Sequence, residues 1–186
     1  HVVMRLGEGL PSMRNYRTLD VIREVFVKGC EKPGFRVVHF SVMGNHLHLI
    51  CEAVGRVQLS RGMQGLTIRM AWALNRLWGR KGTVFPDRYH AEILTSPTRV
   101  RHALCYVLHN AKKHGLKTVM GIDPYSSASW FDGWKEAHDP EAAFTQLKAV
   151  ARARTYLLSK GWRKARGGLL SKDERPANKA RPHKRA

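Results

Sequence analysis

The chain has 186 residues, 43% of them hydrophobic, enough for one domain with a core and a modest extension but too few for two full domains. Lysine and arginine number 33 against 14 aspartate and glutamate, a formal charge of +19, which calls for a polyanion as partner. A membrane surface is set aside because the sequence has no sustained apolar span and no strongly amphipathic basic helix with an aromatic face, and nucleic acid remains.

His1 to Leu6 reads as a short apolar strand, and because it opens without an initiator methionine, further residues are expected upstream. A turn-rich loop follows. Thr18 to Gly29 then spaces Leu19, Ile22 and Phe26 as a helix does, with Thr18 as the expected cap. Arg36 to Met43 and His46 to Ala53 alternate in hydropathy around Gly44-Asn45, the pattern of a hairpin. Val57 to Trp78 carries Leu59, Met63, Leu66, Met70, Leu74 and Leu77 three or four residues apart, a long amphipathic helix. Val84 to Leu94 is expected to be a strand, and Pro97 to Gly115 a helix that stops at the glycine.

This βαββαβ order predicts an α/β (α+β) fold of ferredoxin-like type: an antiparallel sheet whose first and third strands are central, followed by one more helix. After residue 118 the sequence turns aromatic and turn-rich, GIDPYSSASWFDGW. Glu141 to Lys160 then predicts an amphipathic helix using Phe144, Leu147, Val150 and Leu157. The expected organisation is a catalytic domain over 1–118, a helical extension packed on it over 119–160, and a basic, disordered tail over 161–186 that touches DNA. Cys30, Cys51 and Cys105 form no CxxC pair or disulfide framework, which suits a reducing cytoplasm.

His46 and His48 are two apart on an expected strand, so both imidazoles leave the same face and Leu47 and Leu49 the other. Such a pair can hold one divalent ion if a third ligand comes from elsewhere, with open positions left for substrate oxygens. By itself the pattern is weak in a chain with ten histidines. The last helix of the core adds weight. Val100, Ala103, Leu104, Val107, Leu108 and Ala111 form its apolar face, and Tyr106 and Asn110 stack one turn apart at the border of that face. His102, His109 and Lys113 lie a little further round as a polar, cationic strip.

GNHLHLI followed by the helical YVLHN resembles the single-tyrosine HUH (His-hydrophobic-His) transposases, and among them the REP-associated tyrosine transposases. The resemblance runs from His1 to about Leu116 and includes VFPDRYHAEIL ahead of the tyrosine helix. It implies that Tyr106 is the nucleophile, that His46, His48 and Asn110 are metal ligands, and that the substrate is single-stranded DNA beside a hairpin. The family often has Gln where Asn110 stands here. The implied cofactor is Mg or Mn, the implied intermediate a 5′-phosphotyrosine, and the implied location the cytoplasm, on the nucleoid when DNA is bound. The resemblance leaves monomer and homodimer both open.

A tyrosine attacks as the phenolate, whose ordinary pKa is about 10, so a nearby cation must favour ionisation, and Lys113 is the candidate helper. Phosphate contacts are expected from Arg61, Arg69 and Arg76 on the long helix, with Trp72 among them placed to stack a base. The competing reading is a non-catalytic RNA-binding module of RRM type, which shares the βαββαβ order. It would place aromatic residues on the two central strands, where this sequence has HVVMRL and NHLHLICE.

Overall fold

The computed structural model describes residues 1–138 and 148–176. Its strands and helices run β1 (Val2–Arg5), α1 (Tyr16–Gly29), β2 (Glu31–Lys32), β3 (Phe35–Val42), β4 (His46–Ala53), α2 (Arg56–Leu77), β5 (His90–Ala91), α3 (Pro97–Leu108), α4 (Asn110–Lys113) and α5 (Tyr156–Ser159). The sheet order is β2-β3-β4-β1-β5, and each neighbouring pair is antiparallel. β1 and β4 therefore lie at its centre, as the ferredoxin-like reading expected, with the two-residue β2 added at one edge.

α1 and α2 cover one face of the sheet. Leu19, Ile22 and Phe26 of α1 and Met63, Leu66, Met70 and Leu74 of α2 are buried with Met4, Val37, Phe40, Leu47 and Leu49 from the strands. α2 comes very close: a Cβ on Gly62 would sit 2.2 Å from Cγ of Phe35. The opposite face carries α3. Val38 and Ile50 meet Val100, Leu104, Val107 and Leu108 there, and Phe131, Trp134, Trp162 and Leu170 complete this second core. A register shift between Val37 and His39 inserts one residue into β3, so Val38 and His39 both turn toward the second core while Val37 and Phe40 both join the first.

Several elements differ from expectation. Asn15, not Thr18, caps α1, its side chain accepting from the Thr18 N–H at 2.9 Å, so the helix starts at Tyr16. The strand expected over Val84 to Leu94 shrinks to His90–Ala91. Val84 turns into the core, where its carbonyl accepts from Gly7 N–H, and Pro86 has no N–H to donate to a ladder. The helix expected over Pro97 to Gly115 is divided at His109, whose φ of −109° and ψ of 16° leave helical values. It still stops at Gly115, which takes a φ of +67° while Leu116 N–H donates to Ala111 O.

The C-terminal part departs most. Of the helix expected over Glu141 to Lys160, Phe144 and Leu147 lie outside the described residues, and only Tyr156–Ser159 is helical in the rest. The intervening N–H groups have other partners. Ala151 donates to Val37 O, and Arg154 and Thr155 donate to the carboxylate of Glu52. Burial alone would push Glu52 up, but the hydrogen bonds from Thr155, Arg154 and Arg36 outweigh it and hold its pKa below the usual carboxylate range.

The tail expected to be disordered from residue 161 is packed as far as it is described. Trp162 lies against Phe131 with ring centroids 5.4 Å apart, and Leu170 exchanges backbone hydrogen bonds with Gly133 and Lys135. Arg101, buried in α3, clamps this segment. It donates to both carboxylate oxygens of Glu174 at 2.8 Å and to Gly168 O at 2.8 Å. Composition missed this because one tryptophan and one leucine, Trp162 and Leu170, set in basic sequence, suffice once α3 supplies a surface.

Two expectations follow. Gly62→Ala lowers stability by about 1–3 kcal/mol, because overpacking against Phe35 exceeds the roughly 1 kcal/mol gained in helix propensity; a raised melting temperature would mean α2 does not approach the sheet this closely. Glu174→Ala leaves Arg101 without its carboxylate and costs about 2 kcal/mol, read as a lower melting temperature and faster proteolysis within 161–176.

Candidate functional site

Antiparallel register decides which residues share the face under α3. His46 pairs with Arg5 and His48 with Val3, and Val3 also pairs with His90. Paired residues point the same way, so Arg5, His46, His48 and His90 stand on one face, while Met4, Leu47 and Leu49 enter the core beneath α1 and α2. β1 and β4 carry no Phe, Tyr or Trp on either face, unlike the base-stacking strands of an RRM-type module.

α3 crosses this face and delivers Tyr106. Ser96 caps it by accepting from Arg99 N–H, and Pro97 occupies the first turn, where an N–H is not needed. The apolar side of α3 then settles on Val38 and Ile50, leaving half-buried Tyr106 with its ring centroid 5.2 Å from that of His48, edge to face. The rings of His46 and His48 lie 4.8 Å apart at 87°. The expected meeting of the histidine pair with Tyr106 is present.

Local contacts set the state of the imidazoles. His46 Nδ1 is 2.7 Å from Asn45 Oδ1. An amide oxygen only accepts, so Nδ1 carries the hydrogen and Nε2 of the neutral ring keeps a lone pair free for a ligand. Burial, then Arg5 and His114, lower the His46 pKa and favour that neutral form. His48 is 4% exposed, and its Nδ1 lies 3.1 Å from His1 Nε2 with the two rings stacked.

Burial raises the pKa of Tyr106, so the phenol stays protonated as the site stands. Lys113 lies with Nζ 4.6 Å from the centroid of the Tyr106 ring, over its face. That contact is cation–π in character. His109, expected in a cationic strip with His102 and Lys113, is instead buried against Trp134, and burial first of all lowers its pKa.

Asn110 is 0% exposed, and neither Oδ1 nor Nδ2 has a hydrogen-bond partner among the described residues. An amide buried in this way costs about 1–3 kcal/mol, so a side chain kept there despite the cost fits a ligand. No three His, Cys, Asp or Glu side chains among the described residues are grouped to hold an ion. Asn110, expected from the sequence as a further ligand, would add an amide oxygen to the imidazole nitrogens. Two imidazoles and an oxygen form a donor set that accepts Mn or Mg with open positions for phosphate oxygens.

The residues expected to bind DNA separate. Arg61, Trp72 and Arg76 are exposed on α2. Arg69 is turned onto α1, where its guanidinium would stand 2.7 Å from a Cβ added to Gly29, and its Nε is buried. It supports the C-terminal end of α1, where a cation is favoured. Sequence reading missed Arg5, His1 and Asn45. The first two share the His48 face by alternation and register, a signal available once β1 is paired with β4; Asn45 is legible only as the neighbour of His46.

Comparison with known proteins gives the family and the fold. The family model described as "Transposase IS200 like" matches residues 1–110, a span that holds His46, His48, Tyr106 and Asn110. A solved structure of a REP-associated tyrosine transposase bound to a REP hairpin is similar with a TM-score of 0.52 and 18% identity, over 83% of this chain and 91% of that one. No curated protein sequence matches significantly.

Asn110→Leu, of nearly equal size and without polar atoms, is expected to raise the melting temperature of the protein in EDTA by about 2–6 °C while removing metal-dependent activity. A lowered melting temperature would show that the amide has partners and is not held in reserve for a ligand.

Proposed function

Because the chain belongs to the IS200-like transposase family, we propose that it cuts and rejoins single-stranded DNA beside a folded hairpin, with Tyr106 as nucleophile and a divalent metal held by His46, His48 and Asn110. The observation that carries this reading is the 5.2 Å approach of the Tyr106 and His48 rings, two groups 58 positions apart that face one another across the sheet surface under α3. A structural tyrosine would need no histidine pair on the facing strand. The fully buried, unpartnered amide of Asn110 one turn further on supports the same arrangement.

The chemistry follows from the residue types. Tyr106 Oη attacks a phosphorus in line, forming an oxygen–phosphorus bond to the 5′ side of the break. The 3′ oxygen leaves and takes up a proton, and the phenolic proton passes to solvent or a neighbouring base. The reaction is close to thermoneutral because one phosphodiester replaces another, so the 3′ hydroxyl of a second strand can reverse it without ATP. When bound, Mg or Mn supplies Lewis-acid stabilisation of a nonbridging oxygen and favours the phenolate.

The chain's own residues do the rest. His46, which burial keeps neutral, and His48 offer nitrogen donors. Lys113 packs over one face of the Tyr106 ring, which itself rests against the second core. Arg5, on the same face as His46, and exposed Arg61 and Arg76 supply phosphate contacts. DNA as partner is further supported by the charge of +19 and by the hairpin in the similar solved structure. No described helix is long and apolar enough to cross a membrane.

The test is to incubate the protein with labelled hairpin DNA and Mn or Mg and look for an adduct that survives denaturation. Tyr106→Phe is expected to abolish the adduct and leave DNA affinity within about twofold, since one hydroxyl is lost and no phosphate contact is removed. EDTA, or His46→Ala with His48→Ala, is expected to remove the adduct as well. Tight binding by the wild type without any adduct, across several hairpins and both metals, would refute the tyrosine nuclease.

A further inference from the structure

We propose that a cleft between the C-terminal half of α2 and the loop of residues 79–85 holds one unpaired nucleotide of the DNA strand that Tyr106 cuts, its base on Trp72 and its phosphates on Arg76, Arg80 and Lys81. This rests on the reading of the chain as a single-stranded DNA transposase and adds to it a recognition site away from the catalytic face.

The cleft is an open surface depression of about 640 Å³, a volume within the range of small-ligand sites. Trp72, Ile68 and Phe85 supply its apolar lining, and Arg76, Arg80 and Lys81 its charge; no carboxylate is among its lining residues. Trp72 is 73% exposed and Ile68 44%. An uncovered indole beside three cations suits a flat, apolar base attached to an anionic backbone, and suits an acidic peptide or a lipid surface less well, because neither requires a ring to stack on.

The loop is preformed. Asn75 Nδ2 donates to Gly82 O at 2.7 Å, and Asn75 accepts from Arg80 twice: from Nη1 at its side-chain oxygen, 2.8 Å, and from the backbone N–H at its carbonyl, 3.0 Å. Gly79 and Gly82 have φ of +62° and +101°, which side-chain-bearing residues rarely adopt. A cleft already shaped in this way loses little entropy when a base enters.

Its position relates it to the catalytic face. The Gly7 N–H donates to Val84 O in the loop at 2.9 Å, and Gly7 stands two residues after Arg5, the partner of His46. The two Cα positions are therefore within about 8 Å of one another. DNA leaving the His46 end of the sheet reaches the cleft by passing the end of β1, without crossing the body of the protein.

The experiment places 2-aminopurine at successive unpaired positions flanking a hairpin and measures its fluorescence on binding the full chain. Strong quenching at one position is expected, lost in Trp72→Ala and reduced in Lys81→Gln, with DNA affinity falling roughly tenfold in Trp72→Ala. Lys32→Gln, an equal charge loss on β2, is expected to keep the quenching. Quenching that Trp72→Ala leaves unchanged, or that Lys32→Gln removes equally, overturns the cleft while cleavage by Tyr106 stands. A wild-type chain that binds no hairpin DNA overturns both.

Discussion

The candidate site under α3 depends on that helix seating its apolar side on the sheet. Val100, Leu104, Val107 and Leu108 against Val38 and Ile50 form a dry contact, and each such side chain contributes roughly 1.5–3 kcal/mol when withdrawn from water. That contact has no chemistry of its own, yet it sets the height and rotation of the helix over β4. Tyr106 and Asn110 are placed by it, because they border the apolar residues on the same stretch of chain. A change in the packing of Leu104 would move the tyrosine relative to the histidines even though Leu104 touches neither.

The second core explains the attached C-terminal segment. α3 has one side for the sheet, and its outer side would be exposed without Phe131, Trp134, Trp162 and Leu170. The Arg101 clamp to Glu174 and the hydrogen bonds of Glu52 to Arg154 and Thr155 fasten this cover at both ends. The cover therefore bears on the site indirectly, by holding α3 down. His109, buried against Trp134 next to Asn110, is the point where cover and site meet, and the helix is interrupted there.

Stability and function conflict at one position. Asn110 is buried with both polar atoms unpartnered among the described residues, which a core selected for stability alone would replace with leucine. His46 and His48 are handled differently: Asn45 and His1 occupy one nitrogen of each ring and orient the other. The site thus combines imidazoles held by neighbours with a buried amide that has no hydrogen-bond partner among the described residues.

Much of this was legible in the sequence because it follows from periodicity. Alternation along β4 put His46 and His48 on one face and Leu47 and Leu49 on the other; the 3.6-residue period set Tyr106 at the edge of an apolar helix; and +19 named a polyanion. Long-range contacts decided what periodicity cannot. The distance from Tyr106 to His48, the turn of Arg69 onto α1 and the retreat of His109 into the second core each depend on a neighbour far away in sequence. So do the extended path of 148–155, whose N–H groups are taken by Val37 and Glu52, and the order within 161–176, bound by buried tryptophan and the Arg101 guanidinium. Local sequence determines which side of an element is apolar; only the tertiary fold determines what that side meets.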